Sequence, residues 1–351
     1  MKQCLVTGGA GFIGSHLTET LLSRGDRVRV IDDESTGTID NLAAVLGDPR
    51  LEYVKGTVAD RQLVRRMVEG VDEVYHLAAA VGVALIARQP IHTIEANIYP
   101  TEILLDEVQR RHEQGQPVKL FLASTSEVYG KNPKPQWTEE DDLVFGPTSR
   151  PRWSYGVSKA IDEFLTLAYG SERGLPVVVG RFFNVIGPRQ TGAYGMVLPR
   201  FVDAALAGGP LVVHDDGRQQ RCFAHVADVI RAVLGLMATD AALGGIFNIG
   251  SDQPVTILEL AQRVIAAVGS QPTVGWQTAA AGPAIAIEFQ SYAQAYSENF
   301  EDCRRRVPDL TRLRRLLDFR PQFDLDQVIR EVVAWKRRSS SGSQPRGGVP
   351  Q

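Results

Sequence analysis

Short apolar segments alternate with longer amphipathic ones through the first half of the chain. QCLVTG, RVRVID, LEYVKG, EVYHLAA, KLFLAST and PVVVGRFF are dense in Val, Leu, Ile and Phe, whereas stretches such as TEILLDEVQRRHEQG repeat apolar residues at helical spacing. Apolar strands separated by helices predict a parallel sheet covered on both faces, a Rossmann-type doubly wound α/β fold. After Asn184 the pattern turns irregular, and GPRQTGAYGMVLP reads as a Gly/Pro-rich loop. VADVIRAVLGLMAT then predicts a helix and GGIFNIG a strand, followed by a helix over TILELAQRVIAAVG opened by a capping box of Thr256 and Glu259. The predicted organisation is a larger domain over residues 1–182, to which 225–250 return, interleaved with a smaller C-terminal α/β domain from 183–224 and 251–337. Residues 338–351 are rich in Ser, Gly and Pro without apolar periodicity and predict a disordered tail.

The first strand runs straight into Gly8, Gly11 and Gly14, spaced three apart at the start of a predicted helix. Gly8 suits a tight turn, Gly11 lets a pyrophosphate approach the main chain, and Gly14 allows close helix-strand packing, so phosphates meet free helix N–H groups. Phe12 and Ile13 belong to the same predicted cofactor site. The next strand ends in Asp32, placed to accept hydrogen bonds from the adenosine ribose hydroxyls, while Asp33 fits a loop cap. An acid here repels a 2'-phosphate and no Arg or Lys follows closely, so NAD rather than NADP is the expected cofactor.

Composition narrows the class. With 351 residues, 44% hydrophobic content and a formal net charge of -3, the chain buries a large core and shows no nucleic-acid signature. Apolar runs fall short of the roughly 18 residues needed to span a bilayer, and no charged-then-apolar leader precedes the first strand, so a cytoplasmic protein without membrane contact is expected. Cys4, Cys222 and Cys303 are scattered without metal-ligand spacing; no metal is expected.

Tyr155 and Lys159 stand four apart on one face of a predicted helix. An ammonium beside a phenol stabilises the phenolate, which then takes a hydroxyl proton as hydride leaves the same carbon. Thr125, at the C-terminal end of the strand KLFLAST, is placed to hold the reacting oxygen.

TGGAGFIG, HLAA, STSEVYG, SYGVSK and RFFNVIGPRQ together resemble the extended short-chain dehydrogenase/reductases that modify nucleotide sugars. The resemblance runs to about Arg338 and implies a triad of Thr125, Tyr155 and Lys159. It also implies that Leu77 and Ala78 line the cofactor, Asn97 lies on the helix beneath it, and Asn184 contacts the sugar nucleotide. In such enzymes NAD stays bound, takes hydride from C4 of the sugar and later returns it. Thr125-Ser126-Glu127 is similar to UDP-glucuronate decarboxylases and also to GDP-mannose 4,6-dehydratases, whose typical preference for NADP Asp32 disfavours; RPRWSYGVSK, GRQQRCFAHVADV and SYAQAYSENFEDCRRRVPD resemble the decarboxylases. By that resemblance Glu127 and Arg221 flank the substrate carboxylate or its enolate, with Ser126, Arg221 and Arg306 as substrate contacts.

A UDP-hexose or UDP-glucuronate 4-epimerase is the alternative, followed by a 4,6-dehydratase and by a non-catalytic NAD sensor, against which the intact triad argues. Thr57 stands where the family carries an adenine-contacting acid, and His214 to Gly217 form a bulkier turn than usual near the base. His76 and His225 lack a second ligand at metal spacing. The sugar is expected to be read by the loops from Val81 to Arg88 and Gly187 to Met196. Apolar positions Ile103, Leu104, Val108, Phe164, Leu165 and Ala168 predict a helical homodimer interface.

Overall fold

The computed structural model describes residues 1–82, 89–193, 195–269, 271–274, 284–295 and 301–341. Parts of the two specificity loops, of the SYAQAYSENFEDCRRRVPD segment and of the predicted tail (83–88, 194, 296–300 and 342–351) therefore lie outside the described residues.

Chain order in the first half is β1 (Gln3–Thr7), α1 (Phe12–Ser23), β2 (Arg27–Asp32), β3 (Leu51–Lys55), α2 (Arg61–Val68), β4 (Glu73–His76), α3 (Pro90–Glu113), β5 (Lys119–Thr125), α4 (Ser154–Arg173) and β6 (Val177–Phe182). β7 (Val185–Ile186), α5 (Val197–Leu206), β8 (Leu211–His214), β9 (Gln220–Cys222) and β10 (Ala224–His225) lead to α6 (Val226–Ala238) and β11 (Ile246–Ile249). Seven strands form one sheet in the order β11-β6-β5-β4-β1-β2-β3, each pair parallel. This is the doubly wound Rossmann-type α/β fold that the apolar pattern predicts.

Period-two alternation explains the two cores. Cys4 and Val6 point to one face, packing with α1 and α6, whereas Leu5 points to the other with α2 and α3. The strand order reverses between β1 and β4, and at such a switch point the carboxyl ends of the strands leave a crevice. Thr7, Asp32, His76, Thr125 and Phe182 all end strands at that edge.

The C-terminal elements are β12 (Pro254–Thr256), α7 (Ile257–Ala267), β13 (Gln271–Val274), β14 (Ala284–Gln290), α8 (Tyr292–Ala295), β15 (Arg305–Arg306), α9 (Thr311–Leu317) and α10 (Leu325–Ser341). A third apolar cluster joins α5 and β8 to β12, α7, β14 and α10. The Thr256 hydroxyl caps α7 by accepting from the Glu259 N–H at 3.0 Å, while the Glu259 carboxylate turns away to Arg263, so only half of the capping box forms. α10 continues to Ser341, into the stretch where the sequence predicts the tail to begin.

One expectation about the surface is corrected. Ile103, Leu104 and Val108 are completely buried within the chain's own core, because α3 is covered by the sheet and packs against α2 and α4. Phe164 of the expected stripe is exposed, and the other exposed large apolar residues of these helices are Ile91, Ile94 and Tyr99 on α3 and Val157 and Ile161 on α4.

Candidate active site

The crevice opens into a cavity of about 850 Å³. Its dinucleotide end follows from the glycine turn. Gly8 holds φ +71°, and a Cβ on Gly14 would come within 2.1 Å of the Gly8 carbonyl oxygen, so neither position admits a side chain without displacing backbone. No side chain caps α1 at its N-terminus, leaving that end to an anion. Asp32 accepts from the Ala10 N–H and the Glu34 N–H, each at 2.8 Å, which ties the acid to the turn. Asp33 accepts from the Ser35 N–H in a local turn. A basic neighbour that the local sequence does not reveal comes from the adjacent strand: Lys55 stands 3.1 Å from Glu34 and is paired with it. Gly8, Gly11, Phe12, Ile13, Gly14, Asp32, Leu77 and Ala78 all line the cavity, as does Thr57. This donor and acceptor set fits a dinucleotide.

Thr125 ends β5, and its hydroxyl caps the next turn by accepting from the Glu127 N–H at 3.2 Å. Tyr155 enters from the first turn of α4 and is buried. Burial pushes its pKa up and the charge of Glu127 adds to this, whereas a hydrogen bond with Thr125 acts the other way. Both residues face the cavity. Lys159 and Asn97 do not line it. Lys159 is buried one turn further along α4, its Nζ donating to Asp162 at 2.8 Å. Asn97 acts as a bracket, accepting from the Ala80 N–H at 2.9 Å and donating to the Ser158 hydroxyl at 3.0 Å.

The sugar-side residues meet in an ion cluster. Glu127 is held by Arg152 at 2.7 Å and Arg306 at 2.6 Å. Burial would raise its pKa, but the two guanidiniums win and hold it at about 2. Arg221 does not pair with Glu127; its carboxylate partner is Asp302 at 2.7 Å. Ser126, Asn184, Arg221 and Arg306 all line the same cavity. Asn184 takes the unusual φ of +31°, with its amide donating to the Cys222 carbonyl at 2.9 Å. Arg152 and Asp302 are the members that sequence reasoning missed. The only signal for Arg152 is its place three residues before Tyr155, in the 3-10 turn Pro151–Trp153.

The two histidines have other duties. His76 is shut in between the Thr7 hydroxyl at 2.7 Å and the Thr101 hydroxyl at 3.1 Å, and burial lowers its pKa to about 3. His225 caps α6, meets Glu331 at 2.7 Å and stacks on Phe323. Among the described residues no group of His, Cys, Asp and Glu is arranged to hold a metal ion.

The GDP-mannose 4,6 dehydratase family matches residues 5–332, nearly the whole described chain. The chain belongs to this family. Its relatives include the UDP-N-acetyl-alpha-D-glucosaminuronate decarboxylase of Bacillus cytotoxicus, 36% identical over 96% of this chain and 98% of that protein. The UDP-glucuronic acid decarboxylase 1 of Arabidopsis thaliana is 31% identical over 95% of this chain and 69% of that protein. Among solved structures, the dTDP-glucose 4,6-dehydratase DesIV of Streptomyces venezuelae, with NAD and TYD bound, superposes with a TM-score of 0.83 at 29% identity, over 97% of this chain and 98% of that one. The protein is thus an NAD-dependent nucleotide-sugar enzyme of the extended short-chain dehydrogenase/reductase type. Among the described residues no helix is long and apolar enough to cross a membrane.

Proposed function

We propose that the protein is an NAD-retaining decarboxylase of a UDP-linked hexuronate, with UDP-glucuronate or its 2-acetamido counterpart as substrate. The observation that carries this reading is the state of Glu127, a buried carboxylate clamped by two arginines and held at a pKa of about 2. A glucose-type 4,6-dehydratase needs an acid beside Thr125 to protonate the departing C6 hydroxyl, and this chain has Ser126 there, which offers no such proton near neutrality. Carbon dioxide departs without one. A ketone at C4 turns the hexuronate into a β-keto acid, whose C5–C6 bond breaks with its electron pair passing into the C4 enolate.

NAD, when bound, supplies the hydride acceptor and a positively charged ring. Tyr155 takes the C4 hydroxyl proton, and Thr125 orients both groups through its hydroxyl. Asp32 and the glycine turn bind the adenosine end. Asn184, Arg221 and Arg306 bind the nucleotide sugar, with Arg306 also fixing Glu127. We place the enzyme in the cytoplasm as a homodimer, joined through Val157, Ile161 and Phe164 of α4 and the neighbouring exposed apolar residues of α3.

The test is product analysis. The purified protein is incubated separately with UDP-glucuronate, UDP-N-acetylglucosaminuronate and UDP-glucose, and products are identified by mass and NMR. Loss of carbon dioxide supports the reading; unchanged mass with inverted C4 assigns an epimerase, and loss of water a dehydratase.

A further inference from the structure

Among the described residues the charges around Glu127 do not balance. Arg152, Arg221 and Arg306 bring three guanidiniums, against the two carboxylates of Glu127 and Asp302. All five residues line the cavity that holds Thr125 and Tyr155. Arg152 has the least exposed side chain of the three arginines, and only its Nη2 reaches a carboxylate, Glu127 at 2.7 Å with Asp302 further off at 3.8 Å. Its Nε and Nη1 are buried with no hydrogen-bond partner among the described residues, as is Nε of Arg306. Three guanidiniums against two carboxylates in the lining of one cavity suit an anion that arrives with the ligand.

Position separates the two anions that a UDP-hexuronate carries. Arg152 precedes Tyr155 by three residues, and its partner Glu127 follows Thr125 by two, so the unmatched charge lies beside the groups that handle the reacting carbon. Arg221 stands on β9 beside Arg306 and pairs directly with Asp302, one ion pair removed from Glu127. We infer that Arg152 is a specificity-determining residue: its charge is matched by the C6 carboxylate of the sugar, and a neutral hydroxymethyl group leaves it unmatched. The inference rests on the proposed action on a hexuronate.

The test uses the NAD-loaded protein carrying Tyr155→Phe, which slows turnover enough for binding to be read before product accumulates. Calorimetry gives the dissociation constants of UDP, UDP-glucose and UDP-glucuronate, with and without Arg152→Met. With Arg152 intact, UDP-glucuronate binds about tenfold more tightly than UDP-glucose, and Arg152→Met removes most of that ratio while the UDP affinity moves less than about threefold. A ratio unchanged by Arg152→Met overturns the inference. Equal weakening of all three ligands also overturns it, because Arg152 then serves the diphosphate. Thermal unfolding checks the fold. Should Arg152→Met not fold, Arg152→Lys, which keeps the charge but loses the planar fork, is read by the same ratio: a fall supports the inference and an unchanged ratio overturns it. Failure of the decarboxylase reading is seen separately, in the products of the unmodified protein.

Discussion

Glu127 and Arg152 meet at 2.7 Å in a pocket that leaves their side chains 12% and 6% exposed. With Arg306 on its other oxygen, Glu127 is a fixed charge rather than a proton carrier near neutrality. Its pKa is depressed in the folded state, so its stabilising effect is complete above the ordinary value of 4.5 and is lost as pH falls towards about 2. Glu127→Gln leaves two buried guanidiniums facing a neutral amide. We expect a loss of about 3 kcal/mol at pH 7, read by denaturant unfolding, and a smaller difference from the unmodified protein at pH 3. Sugar-dependent reduction of bound NAD+, read by absorbance, should persist while release of carbon dioxide falls. An epimerase would be little affected, and unimpaired product formation in Glu127→Gln would count against the decarboxylase.

The raised pKa of Tyr155 makes it a phenol in the ligand-free site, so phenolate formation depends on positive charge brought close to it. Tyr155→Phe keeps the ring packing and removes the acid-base group. Turnover should fall by roughly two to four orders of magnitude with UDP binding nearly unchanged. Near-normal turnover would remove Tyr155 from the reaction.

The placement of the glycine turn, Asp32, Thr125 and Tyr155 around one cavity was legible because each follows from a strand end or a helical spacing within a short window of sequence. The ion cluster was not. Arg152 and Asp302 are far from each other in the chain and sit in turn or loop segments, where a charged residue ordinarily faces water; only the folded chain brings them onto Glu127 and Arg221. Resemblance alone sets Arg221 opposite Glu127 across the substrate carboxylate; in the folded chain its guanidinium pairs with Asp302. The helix stripe failed for another reason. Apolar width shows that α3 is buried on more than one side, but Ile103, Leu104 and Val108 face α2, α4 and the sheet rather than a second subunit.

Asp32 spends both oxygens on backbone N–H groups of the turn, yet it still faces the cavity. Asp32→Ala therefore removes a turn-holding acceptor as well as a ribose ligand. NAD affinity should drop about tenfold or more, with the preference over NADP reduced, because the charge opposing a 2'-phosphate is gone. Lys55 remains paired with Glu34 and gives NADP no free cation, so a complete reversal of preference is not expected. Equal binding of the two cofactors by the unmodified protein would contradict this account.

Phe164 is 71% exposed, and Val157 and Ile161 lie on its side of α4 at helical spacing. A charge at this position meets the partner subunit in the proposed dimer and only water in a monomer. Phe164→Glu should halve the mass seen by light scattering with little change in secondary structure. A monomeric unmodified protein would rule out this interface.

His76 gives the fold an acid limit that does not involve the ion cluster. Its ring is enclosed between Thr7 and Thr101, and its pKa falls from 6.5 to about 3 through burial, with the charge of Lys159 adding to the effect. The unfolded chain therefore binds a proton at this residue below about pH 6.5 that the folded chain refuses until about pH 3. Stability from the neutral ring is complete above 6.5 and declines between those values, by up to about 1.4 kcal/mol per pH unit. His76→Gln supplies hydrogen-bonding groups without a titrating ring. It should be less stable than the unmodified protein at pH 8, where the lost packing is all that differs, and the gap should narrow as the pH is lowered to 5. Parallel unfolding curves for the two proteins across that range would show that His76 is not the titrating group.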